Sequence, residues 1–86
     1  MEIKYKIDIA ELADHYVVAA KDKETGEPVE VFTLNESGVD MLKLFMEGNE
    51  AEVVAQRMAE LYGAPLELIT RDVQTFIGNL KQKGIV

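Results

Sequence analysis

The hydrophobic period of this chain changes once, at Leu34-Asn35, and does not change back. Before that point stand short runs of strand type, one alternating apolar and charged residues and the others rich in β-formers. After it apolar side chains recur at helical spacing in stretches closed by Gly48, Gly63 and Gly84. Strands that all precede the helices do not form parallel crossovers. The expected fold is therefore α+β, a three-stranded antiparallel sheet followed by a three-helix bundle in the order β-β-β-α-α-α. At 86 residues and 48% hydrophobic content there is material for one such two-layer core and no second, so residues 1–86 are read as a single domain.

The first strand is expected across Ile3, Tyr5, Ile7 and Ile9, with Glu2, Lys4, Lys6 and Asp8 on its other face, at a sheet edge or start. The second covers His15 to Ala20, rich in β-formers. The charged run Asp22 to Pro28 contains Gly26 for a positive φ and Pro28 at a strand entry, which predicts a hairpin loop or wing before the third strand, Val29 to Leu34.

Asn35 suits the N-cap of a first helix, Glu36 to Glu47, and Asn49 with Glu52 three residues on suits a capping box for the second, which ends at Leu61-Tyr62-Gly63. Thr70 and Asp72 fit the start of the third helix, with Leu66 to Ile69 as an alternative first turn. On a wheel of about 100° per residue Ile69, Val73, Phe76, Ile77 and Leu80 form its apolar stripe. Thr70, Gln74, Gly78 and Lys81 flank that stripe. A mid-helix glycine costs about 1 kcal/mol against alanine, so Gly78 is expected at a close approach, either to the domain's own sheet or first helix, or to another backbone. The first helix is apolar on several sides, through Val39, Met41, Leu42, Leu44, Phe45 and Met46. Either it is central in the helical layer or part of it meets a partner.

The reactive inventory is thin. There is no cysteine, and the single histidine, His15, has no second ligand or base beside it, which predicts no catalytic residue, no metal site and no bound cofactor. Glycines stand singly rather than in a phosphate-binding loop, and no acidic run has calcium-loop spacing. The N-terminus alternates charged and apolar residues, and no stretch approaches a membrane span, so a cytoplasmic protein with no membrane partner is expected. Net charge is −7, yet beyond residue 69 Arg71, Lys81 and Lys83 oppose only Asp72. The last helix is thus the one locally basic element.

Most of residues 29 to 86 resembles the PqqD family of pyrroloquinoline quinone (PQQ) biosynthesis and the related recognition domains of ribosomally made, modified peptides. The resemblance rests on Leu34-Asn35 with Gly38, Met41-Leu42-Leu44, Gly48, Val53-Val54, Leu61-Tyr62, Asp72-Val73, Phe76-Ile77, Leu80 and Lys83-Gly84-Ile85, in that order and spacing. It implies a winged-helix-like domain that does no chemistry. Such a domain binds the leader segment of a precursor peptide and presents it to a radical S-adenosylmethionine (SAM) enzyme or another modifying enzyme. It further implies that the leader adds as a strand to the edge of Val29, Glu30, Val31, Phe32, Thr33 and Leu34. The third helix, through Thr70, Gln74, Gly78 and Lys81, would wall the groove, with Arg71 and Lys81 favouring an acidic leader. In place of the Pro-Glu-Gly of the pathway's own members stands Glu27-Pro28-Val29, and Ile85 replaces an aromatic, so no particular precursor is implied.

Two other readings come from other classes. A winged helix could read DNA with Thr70 to Lys83, but a body of −7 opposes phosphate, so no nucleic-acid partner is expected. A partner-stabilising subunit could use the apolar first helix as an interface, in a homodimer for example.

Overall fold

The structure, a computed structural model, describes residues 1–86. It contains β1 (Lys6–Glu11), β2 (Tyr16–Lys21), β3 (Pro28–Leu34), α1 (Glu36–Met46), α2 (Ala51–Tyr62) and α3 (Leu66–Gln82). The α+β order of three strands followed by three helices is the one the sequence predicts.

The sheet runs β1-β2-β3 with both pairs antiparallel. Ile9, Val18 and Phe32 stand side by side across it, as do Ile7, Ala20 and Glu30. These residues share the face turned to the helices, where Val18 and Ala20 are fully buried. Side chains of the alternate parity, among them Val31 and Val29, lie on the uncovered face. Burial alternates all the way from Glu2, although the ladder begins only at Lys6, because β2 ends opposite it at Lys21. The segment before β1 is held differently: the Lys4 N–H donates to the Ile85 carbonyl at 2.9 Å, tying the two ends of the chain together.

The Asp22 carboxylate accepts from the N–H groups of Glu24 and Thr25 at 2.8 and 3.0 Å, which makes the β2–β3 wing a side-chain-supported turn. These amides hold the Asp22 carboxyl below the usual carboxylate range. His15 lies in the β1–β2 connection, 2.7 Å from Asp14, and touches no other ionisable group within bonding distance.

Asn35 caps α1, its side-chain oxygen accepting from the Gly38 N–H at 2.9 Å. A Cβ on Gly38 would lie 3.3 Å from Leu34 Cβ and 3.2 Å from the capping oxygen, so glycine is what lets the helix start directly beneath β3. Asn49 acts otherwise than expected. Its amide donates to the Leu44 carbonyl at 2.8 Å and so closes α1, while α2 begins after Glu50 with no side-chain cap. The third helix begins at Leu66, behind Pro65, four residues before Thr70.

Most of the apolar surface of α1 goes into the domain's own core, while α2 is the helix that packs against both of the others. Val39, Met41, Leu42 and Phe45 are buried within the domain, with Phe45 stacked against Phe76 at 6.3 Å, and only Met46 is exposed. One core of 13 buried residues, drawn from β2, all three helices and Ile85, joins the layers.

At the outer side of the helical layer the Tyr62 hydroxyl donates to Asp40, linking α2 to α1. That bond, helped by burial and by the Asp40 charge, pushes the Tyr62 phenol up to about 12. A tyrosine in the unfolded chain titrates near 10, so the raised value contributes stability that is complete below about pH 10 and is lost as pH climbs towards 12. In a phenolate absorbance titration Tyr62 should ionise well above the ordinary tyrosine range, and Asp40→Asn should bring it forward.

Candidate functional site

A groove of about 550 Å³ lies between β3 and α3; a smaller one of about 320 Å³, lined by Ile3, Tyr5, Ile7 and Met46, lies beside β1. Phe32, Thr33 and Leu34 form the β3 wall of the larger groove; Phe76, Asn79, Leu80 and Lys83 come from the last turns of α3 and the residue after it. Phe76 and Leu80 are buried and make an apolar floor continuous with the core. The rim is polar. The Lys83 ammonium lies over the Phe32 ring, 5.1 Å from its centre, close enough for a cation–π attraction.

Both outer strands have an unpaired margin, but they are not equivalent. Along β1 the exposed positions are charged, with Lys6, Asp8 and Glu11, and Asp8 is tied to Lys21 on β2. That ion pair holds the Asp8 carboxyl below its ordinary value. Charges of this kind discourage further strands. Along β3 the exposed side chains are Val29, Val31 and Thr33, with Val29 and Val31 about half exposed at 51% and 57%. β3 has one charge, Glu30, on its inner face, and its outward side chains are uncharged; an edge of that kind next to an apolar groove suits an extended chain.

The expected site residues divide accordingly. Phe32, Thr33 and Leu34 line the groove; Glu30 lies on the same inward face one pair further along; Val29 and Val31 belong to the opposite face of the same edge strand. The residues expected on the helix wall lie away from this groove. Thr70 and Gln74 line a different cleft, about 260 Å³ between α2 and α3, together with Ala55 and Leu66. Arg71 borders a shallow depression at the start of α3, and Gly78 and Lys81 are exposed outside the groove. The flank facing β3 is the other one, carrying Asn79 and Lys83 beside Phe76 of the stripe itself.

Gly78 also has no close neighbour, since a Cβ there would meet nothing within 4 Å. The close approach expected to explain it is absent. Gly78→Ala should therefore raise the unfolding free energy by about 0.5–1 kcal/mol, measured by urea denaturation, through helix propensity and a less flexible unfolded chain.

No group of three or more acidic or histidine side chains is placed to hold a metal ion, and no helix is long and apolar enough to cross a membrane. What the groove offers is backbone hydrogen bonding, an apolar floor and one cation.

No curated protein matches the chain significantly. Among solved structures it is similar to that of TbiB1 in complex with the TbiA(beta) leader peptide. The two share 24% identity and a TM-score of 0.76 over 99% of this chain and 93% of that one, a likeness of fold. Residues 22–86, from the wing to the C-terminus, match the family described as coenzyme PQQ synthesis protein D. By its strands, helices and matched sequence, this chain belongs to the PqqD family.

Proposed function

We propose that the protein is a non-catalytic adaptor. It holds the leader segment of a ribosomally made precursor peptide as a fourth strand on β3 and presents it to a modifying enzyme, a radical SAM enzyme being the first candidate. The observation that carries this reading is the free edge of β3, whose outward side chains are uncharged, forming one wall of the groove whose other wall is α3. Family membership and the leader peptide bound by the similar TbiB1 structure support it. Strand addition draws its affinity from main-chain hydrogen bonds, and pockets beside the strand select side chains. The adaptor can thus grip a leader without chemistry of its own.

The cations of α3 give no support to DNA reading. α3 itself holds only Arg71 and Lys81, towards its opposite ends, with Lys83 just beyond it, on a chain of net charge −7 that opposes phosphate.

The test is a titration of isotope-labelled protein with the leader of a precursor encoded beside its gene, followed by amide shifts. Changes should concentrate in β3 and in Phe76 to Lys83. Binding that leaves β3 silent and moves another surface would overturn strand addition.

A further inference from the structure

We infer that Lys83 reads a carboxylate on the bound peptide, and that the segment recognised carries an apolar residue followed two positions later by Asp or Glu. This rests on strand addition at β3 and specifies the chemistry of what is added.

The chain has 16 acidic residues against nine Lys and Arg, yet no acidic side chain lines the groove and Lys83 is the only cation that does. The ion pairs of the molecule are His15–Asp14 and Lys21–Asp8, so Lys83 has no carboxylate within 4 Å. Its ammonium rests instead on the face of Phe32. An aromatic face is a weak partner compared with a carboxylate partly withdrawn from water, so the cation is held at the groove mouth and free to change partner.

Register follows from geometry. A strand added antiparallel to β3 meets Leu34 before Phe32 as it runs from its N- to its C-terminus, and the side chains opposite those two residues both face the groove. The position opposite Leu34 lies over the apolar floor of Phe76 and Leu80 and takes an apolar side chain. The position opposite Phe32, two residues later, lies beside the Lys83 ammonium and takes the acid, because directly opposed side chains sit roughly 5 Å apart. Two residues further on comes Glu30, half-buried on the same face, which disfavours a second acid there. The pattern is therefore one acid at a fixed place, rather than general acidity.

The test uses a displayed library of randomised segments of about nine residues, enough to span a strand of this length. It is panned on the wild-type chain, on Lys83→Met, which keeps the stem over Phe32, and on Lys83→Glu. Circular dichroism checks that each variant is folded. Wild type should enrich apolar-x-Asp/Glu and Lys83→Glu should enrich apolar-x-Lys/Arg. A peptide selected on wild type should bind Lys83→Met about 3- to 10-fold more weakly, the range between an exposed and a partly desolvated ion pair. Replacing its acid by Lys should recover binding to Lys83→Glu. Peptides that shift the amides of β3 but bind all three forms equally would sink the carboxylate reading and leave strand addition standing. Should no segment be enriched, or the enriched ones leave β3 unmoved, both fall together.

Discussion

Phe32→Ala weakens capture of the leader by about 30-fold or more, a loss near 2 kcal/mol of binding free energy. Phe32 is half-buried, stands in the row Ile9, Val18, Phe32 on the inner face of the sheet, and carries Lys83 on its ring. Truncation removes the aromatic wall that a bound side chain would cover and releases the lysine from its position over the groove. The folded domain loses less, about 1–2 kcal/mol, because part of the ring is already in water. Calorimetric titration at low temperature, with a urea melt of the same sample, separates the two losses. Val31→Ala is the control. It lies on the same edge strand, but its side chain is 57% exposed on the uncovered face, so affinity should change by less than about threefold. Equal effects at the two positions would mean that the peptide is held by its backbone alone and that the groove does not read it.

The elements were legible because each has a local cause. Alternation marks β1, β-forming residues mark β2, the charged turn and Pro28 mark the entry to β3, Asn35 marks the start of α1, and Gly63 in the left-handed region at φ 60 marks the end of α2. Failures arose where one local pattern serves two ends. Asn49 sits in the short connection between α1 and α2, within reach of the last carbonyls of one and the first amides of the other. Packing of the two helices, rather than sequence spacing, hands it to Leu44. Thr70 and Asp72 mimic a helix start, yet they are exposed residues on the polar side of a helix already begun behind Pro65.

The placement of the groove wall was illegible for a similar reason. A wheel gives the apolar stripe of α3 and its two flanks, and the stripe residues Ile69, Val73, Phe76 and Leu80 are indeed buried. Nothing on the wheel says which flank faces β3. In the folded chain α2 takes the Thr70 and Gln74 side, leaving Phe76, Asn79 and Lys83 to meet the strand. Lys83 was further hidden by standing one residue beyond the last turn, where a basic residue is already explained by the helix dipole.

Leu42→Ala should lower the unfolding free energy by about 3 kcal/mol, the largest single-residue effect expected on stability. Leu42 has 0% exposure in the middle of α1 and belongs to the one core that joins the helical layer to the sheet. Removing its branched end forfeits the transfer free energy and leaves a cavity that β2, α2 and α3 cannot all close on at once. A domain of this size has about 4–13 kcal/mol in total, so the melting temperature should fall by roughly 10–20 °C. Leu61→Ala, at a side chain 64% exposed, should stay within about 0.5 kcal/mol. The groove is intact in Leu42→Ala, and a peptide that binds only the folded chain adds about 2.7 kcal/mol when present at a hundred times its dissociation constant. Saturating leader should therefore restore most of the lost melting temperature in Leu42→Ala. The same concentration should restore far less in Phe32→Ala, because there the damage lies in the site rather than beneath it.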